Sequence, residues 1–374
     1  MQDLITNIFG REIRTSSDCS ELSEHIWLVT GKKISPTTLK RFFGVINDRG
    51  VIGNSSLLIL KEYVGGYKRN VNLSNQEIQL IKDFYSIEVS DINDFNYQKA
   101  CGNIARRIIE NENLLIKMSG FLAKNKSAQI YFFERFAMID LLANENYLKS
   151  LRQYAYSKKT NESYIYFYSL RILGAFLKKD ETALSDAFQK LSKYKLNSLL
   201  HPFIQGRYIS SNLMYYHFIN DQKNFNKWKD IAVKNELTIP RGNAKEAYFP
   251  MYQYTLIDCF NLLGEYDLSN QFFKICEYDY KFNYSSPIEP GYYESFDLMK
   301  SYCYYNLGYK EEAKRIFKKI TVSNLLFIHQ KYYMFFYNFL KSKFSTEKKN
   351  NQKLVKETGF YYFQNNLITK IYDS

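Results

Sequence analysis

Apolar residues along this chain recur at helical rather than alternating spacing almost throughout. Leu4, Ile5, Ile8, Phe9 and Ile13 predict a first helix within residues 1–14. Leu22, Ile26 and Val29 share one face of a second, with Ser17 or Asp18 as its cap. A third begins at Ser35: Pro36 sits where its missing N–H costs nothing, Thr37 and Thr38 open the helix, and Gly44 stops it. Ile34, Leu39 and Phe42 point inward from this segment, which leaves Thr37, Thr38, Lys40 and Arg41 facing out. After a polar loop with Asn47, Asp48 and Gly50, residues 54–64 predict a fourth helix closed by Gly65-Gly66. Four short helices make a bundle of residues 1–70.

Residues 71–126 read as a helical connector, with one helix over 75–85 and one long or broken helix over 97–122. Arg106-Arg107 in it could contact phosphate, although a basic pair on a solvated helix face is the simpler explanation. From 127 to 345 a helix pair recurs, over 128–157, 161–194, 206–234, 245–278 and 293–320. The inner turns fall near Asn144, Lys179, Asp221, Glu265 and Tyr309, at intervals of roughly 35–44 residues. An aromatic helix follows over 327–339, then a Lys- and Asn-rich stretch over 341–356. Apolar spacing returns over 357–372 with Phe360, Phe363, Leu367, Ile368 and Ile371, so residues 346–374 read as a capping or dimerisation helix. The fold class expected is all-α.

Two stretches carry a resemblance. Residues 18–66 resemble a bacterial helix-turn-helix DNA-binding module, in which Ile34, Leu39 and Phe42 match the buried positions of the recognition helix. The turn Thr30-Gly31-Lys32-Lys33 departs from that pattern by about two extra residues. Leu263-Gly264-Glu265-Tyr266-Asp267 with Phe273, and Leu307-Gly308-Tyr309-Lys310-Glu311-Glu312-Ala313 with Phe317, resemble the tetratricopeptide repeat. In that family the Gly closes the first helix, a small residue (Ala313, or Ser269 in the earlier pair) admits the second, and the aromatic fills the gap to the next repeat. Ala183 and Ala187 are the remnants of the small positions in an earlier pair. The order of the two modules is similar to that of bacterial peptide-sensing transcription regulators of the quorum-sensing and arbitrium receptor type.

Composition narrows this little. The aromatic content is high, with 34 Tyr and 29 Phe, and only 6 Pro interrupt the helices. Lys and Arg number 51 against 38 Asp and Glu, a net charge of +13 that favours an anionic partner. Residues 1–70 hold only a small part of that excess, and a Lys-rich, Asn-rich coding bias produces the same figure. Cys19, Cys101, Cys259, Cys276 and Cys303 form no CxxC pair. Without a leader or a long apolar run, the expected location is the cytoplasm, with no membrane partner. No phosphate-binding loop, dinucleotide fingerprint, zinc-protease or nucleophile-elbow motif occurs, and His25, His201, His217 and His329 lack metal-ligand spacing. Glu311-Glu312 suits the start of an exposed helix without an active-site role. No enzymatic activity, cofactor or metal is expected.

The resemblance implies a homodimer that binds double-stranded DNA through paired recognition helices and takes a peptide or protein ligand in the solenoid groove. Carried over to this chain, Ser35, Thr37, Thr38, Lys40 and Arg41 become the DNA-contacting residues, with Arg41 reading a guanine edge and Lys40 and Ser35 holding phosphate. On the repeat register, Tyr254, Asp258 and Asn261 from one pair and Tyr302 and Tyr305 from the next face the groove. The opposing reading is that these tyrosines pack between helices. Two other functional classes fit the same features: a repeat scaffold whose N-terminal bundle binds protein, and a stress or phage-defence sensor whose solenoid recognises a foreign protein.

Overall fold

The computed structural model describes residues 1–9, 12–30, 32–46, 52–69, 75–87, 95–239, 251–279, 290–345 and 351–364. Among these residues the chain is all-α, with no strand. It divides into two compact units, Met1–Phe84 and Tyr85–Ser374.

Unit 1 holds α1 (Gln2–Phe9), α2 (Ser16–Thr30), α3 (Pro36–Phe42) and α4 (Asn54–Arg69), and α5 (Asn75–Ser86) carries the boundary. Ile5, Cys19, Leu22, Ile26, Ile34, Leu39, Leu60 and Tyr63 form one core, with Phe9, Phe42 and Phe43 packed on its margin. Three boundaries differ from the sequence expectation. The first helix stops at Phe9, although Ile13 still reaches the core. The cap of α2 lies earlier than Ser17, at Thr15, whose Oγ1 accepts from the Asp18 N–H at 3.2 Å while Asp18 Oδ2 accepts from the Thr15 N–H at 2.8 Å. This reciprocal pair satisfies two otherwise orphan donors. The fourth helix runs through Gly65-Gly66 instead of ending there, since glycine weakens a helix without forbidding it.

Unit 2 opens with α6 (Phe95–Ile109) and α7 (Glu112–Lys124), broken at Asn111, whose Oδ1 accepts from the Leu114 N–H at 3.1 Å. The expected helix from 128 is absent as such. In its place α8 (Lys126–Ala128) widens into a π-helical turn over Gln129–Glu134, and a 3-10 turn follows over Ile139–Leu141. The reason is the run Tyr131-Phe132-Phe133, all buried: an α-helix cannot turn three consecutive rings to one face, and the wider turn brings them closer to it. The helix α9 (Glu145–Lys158), capped by Asn144, therefore packs against α7.

Four helix pairs follow: α10 (Asn161–Lys178) with α11 (Glu181–Leu191), α12 (Pro202–Phe218) with α13 (Gln222–Glu236), α14 (Met251–Leu263) with α15 (Tyr266–Asp279), and α16 (Pro290–Asn306) with α17 (Lys310–Phe317). The first helix of each pair packs on the first helix of the next, so α10, α12, α14 and α16 form a continuous row. The turns fall where the sequence places them. Asp180 and Asp221 cap the second helices through their side chains, while Lys179 and Gly264 take the left-handed conformation that ends the first. Close approach matters at Gly291, where a Cβ would lie 2.6 Å from the Asn324 carbonyl oxygen.

The row ends in α18 (Gln330–Phe344), which packs on α16, and in α19 (Gln352–Thr358), which packs on α18. The Lys- and Asn-rich stretch over 341–356, expected as a solvated loop or helix face, is thus helical at both ends. Beyond α19, Gly359 at φ 70 turns the chain, and Phe360 and Phe363 are buried. The apolar positions Leu367, Ile368 and Ile371 lie outside the described residues. The row also returns on itself, because the 3-10 turn at Ile139–Leu141 packs on α18.

Candidate nucleic-acid helix and ligand groove

The third helix of unit 1 is built as its sequence dictates. Ser35 Oγ accepts from the Thr38 N–H at 3.1 Å, Pro36 occupies the first turn, and Gly44 follows the C-cap Phe43 at φ 69. Leu39 and Ile34 are buried and hold the helix to α2. The connection between α2 and α3 is pinned from both sides: Ser23 Oγ donates to the Ile34 carbonyl at 2.5 Å, and Lys32 bridges to Glu62 at 2.8 Å. His25 Nδ1 meets the Tyr63 hydroxyl at 2.7 Å beneath them, and burial lowers the His25 pKa.

Of the five predicted contact residues, Ser35, Thr37 and Arg41 are exposed and Thr38 and Lys40 partly buried. The Ser35 and Thr38 hydroxyls lie 2.8 Å apart within the cap, so their first role is to start the helix. Thr37, Lys40 and Arg41 then form the outward set. Trp27, 47% exposed on α2 with Lys33 Nζ 5.7 Å from its ring centre, is a surface aromatic that helical spacing alone did not single out.

The five predicted groove residues point toward α18 and its neighbours. The Tyr254 hydroxyl lies 2.7 Å from that of Tyr333 and 2.8 Å from Ser295 Oγ. Asp258 accepts from the Tyr332 hydroxyl at 3.2 Å and from the Tyr333 hydroxyl at 3.3 Å. Burial raises its pKa from 3.8 to about 6, against the lowering pull of Arg207 and of the two phenols. Tyr302 packs edge-on against Phe336, and Tyr305 against Phe339 and Phe344. Asn261 is buried; its Nδ2 donates to the Met299 carbonyl at 3.3 Å, while its Oδ1 meets no donor. The face that carries these residues is thus occupied by this chain's own aromatic helix α18.

Near one end of that face the filling is incomplete. The Tyr362 hydroxyl donates to the Leu262 carbonyl at 2.5 Å, and its ring lies 4.8 Å from that of Phe176. Phe363 stacks on Phe335 with centroids 4.3 Å apart. Between these residues, the ends of α12 and α14, and α16 and α18 lies a cavity of about 210 Å³, to which Asn261 and Tyr302 contribute. His217, Tyr266, Phe336 and Tyr362 also line it and were not legible as site residues. Their only signal was the density of aromatics, which spacing alone assigns to packing. Tyr254, Asp258 and Tyr305 are not among its lining residues.

Among the described residues no three His, Cys, Asp or Glu side chains gather as a metal site, and no helix is long and apolar enough to cross a membrane. All five cysteines are buried, and burial pushes the Cys101 and Cys303 thiols up to about 12, as for inert core thiols. No family model, curated protein or solved structure matches the chain.

Proposed function

We propose that this chain is a DNA-binding transcription regulator in which unit 1 supplies a helix-turn-helix and unit 2 is a tetratricopeptide-like solenoid that senses a peptide or protein ligand. The observation that carries the reading is α3: a short capped helix anchored by Ile34 and Leu39, with Thr37 and Arg41 exposed and Lys40 beside them. The continuous row of first helices in unit 2 supports the second half. The regulator acts as a homodimer, because paired half-sites give one short helix enough contact for specificity. A ligand then controls DNA binding only as far as it prefers one dimer geometry.

The test is fluorescence-anisotropy binding to genomic fragments and to DNA upstream of the chain's own gene, across a salt series, beside a Lys40→Ala/Arg41→Ala variant. The expected result is a preference for one fragment by roughly a thousandfold that the variant loses. Uniform weak binding, unchanged in the variant, overturns the reading.

A further inference from the structure

We propose that Arg207, beside Asp258 in the helix row of unit 2, anchors a ligand carboxylate. The inference deepens the reading that this face of unit 2 takes a ligand, and to that extent rests on it. It does not depend on DNA binding.

The backbone that carries Arg207 is fixed. Its helix, α12, packs on both α10 and α14. Next to it, a Cβ on Gly206 would lie 3.2 Å from the Tyr252 carbonyl oxygen, so α12 and α14 nearly touch at this turn. The head group is held as well. The guanidinium carbon lies 5.2 Å from the centre of the Phe203 ring, one turn earlier on the same helix, and Phe203 leans on Tyr166 of α10 with centroids 6.0 Å apart. What this placement lacks is an acceptor. Among the described residues none lies within hydrogen-bond or ion-pair distance of the guanidinium. Its Nε is buried without a partner, while the terminal nitrogens keep accessible surface on a half-buried residue. A charged head group drawn out of water and left unpaired is costly, and a bound anion removes that cost.

The acid that could pair with Arg207 faces elsewhere. Asp258 accepts the Tyr332 hydroxyl at 3.2 Å and the Tyr333 hydroxyl at 3.3 Å, and Arg207 reaches it only through its field, which lowers the Asp258 pKa against burial. The same field reaches Tyr166 on α10 and His329 at the head of α18, so the guanidinium stands where these elements converge. His329 is kept neutral by burial, with its pKa lowered to about 3, and adds no second positive charge there. This balance selects the anion. One guanidinium with Asp258 beside it offsets a single negative charge, which suits a carboxylate and leaves a phosphate dianion in excess. The planar fork of an arginine also meets a carboxylate through two parallel N–H···O bonds, a match in geometry as well as in charge.

A carboxylate can come from a small acid, a peptide C-terminus or an acidic side chain, and these sources share the chemistry that the fork reads. The experiment is calorimetric titration of the full chain with three charged and uncharged pairs: n-hexanoate and hexanamide, N-acetyl-trialanine and its C-terminal amide, and Nα-acetyl-glutamate methylamide and its glutamine analogue. A fourth probe, n-pentyl phosphate, tests the other anion. At least one carboxylate is expected to saturate a single site, with its uncharged counterpart weaker by about tenfold or more. The strongest binder identifies the source. Arg207→Met, which keeps a stem of similar reach and drops the donors, should weaken that probe by about tenfold or more. The same probe should raise the urea midpoint of the natural chain and leave that of Arg207→Met where it is. The comparison of acid with amide needs only the natural chain, so a poorly folding variant does not blunt it. Equal binding of acid and amide, no saturable carboxylate binding up to about 10 mM, tighter binding of the phosphate, or indifference to Arg207→Met overturns the inference. If a peptide acid and its amide bind equally well, the anchor falls while ligand sensing stands.

Discussion

The carboxylate of Asp140 accepts the backbone N–H of Tyr332 at 2.8 Å, across 192 residues of chain, and that of Lys331 at the same distance. The helix that closes the row in unit 2 is thus capped from the segment that opens it. Asp140→Ala leaves two N–H groups at the start of α18 without their acceptor, and should lower stability by about 2 kcal/mol. Urea unfolding would show this as a lower midpoint at unchanged slope.

Asp140 and Asp258 give the fold a pH dependence opposite to that of most paired carboxylates. Burial raises each from 3.8 to about 6. In the window between these values the native state binds more protons than the unfolded one, so stability falls as pH rises from about 4 to about 6 and is level above. Removing the titration in Asp258→Asn should therefore help more at pH 7 than at pH 4.5. The expected difference is on the order of 1 kcal/mol, since both groups are partly exposed and solvent screens the effect. Urea midpoints of the natural chain and the variant at the two pH values measure it.

In unit 1 the requirements of folding and of contact separate by residue. Ser35→Ala removes the cap of α3 and should cost about 1 kcal/mol; Leu39→Ala empties a core position and should cost about 3 kcal/mol. Arg41→Ala should change stability by less than about 0.5 kcal/mol. Hydrogen exchange of the backbone amides of residues 16–42 resolves these effects without interference from unit 2.

Two glycines test packing in opposite directions. At Gly291 an added Cβ would meet backbone, 2.6 Å from the Asn324 oxygen and 2.8 Å from the Leu326 nitrogen, so Gly291→Ala should destabilise by about 2 kcal/mol or more. At Gly120, inside α7, a Cβ meets nothing within 4 Å, and Gly120→Ala should stabilise by about 0.5–1 kcal/mol. Thermal unfolding of the two variants should shift in opposite senses.

The helix pairs were readable because their punctuation is local. Asn144, Asp180 and Asp221 each cap a helix within three residues of themselves, and Ser35 does the same in unit 1. The π-helical turn at Gln129–Glu134 was not readable, because a window that scores helical period cannot distinguish a widened turn from an α-helix with a crowded face. The partners of the inward tyrosines were hidden for a different reason. Period assigns Tyr254, Asp258 and Tyr302 to a face, but that a later aromatic helix covers this face follows from the long-range return of the chain. Tyr362 and Phe363 complete the cavity only through that return.

The order of translation gives that return a cost. Phe176, Leu262 and Phe335 each meet Tyr362 or Phe363, and all three leave the ribosome before the residues that cover them. A nascent unit 2 stalled after α18 would hold α10, α12, α14 and α16 but lack Tyr362 and Phe363, which pack on Phe176 and Phe335. Its aromatic surface would stay open to chaperones and proteases until the last turn is made, so premature termination before Phe360 should yield a chain that is cleared rather than a shorter folded protein.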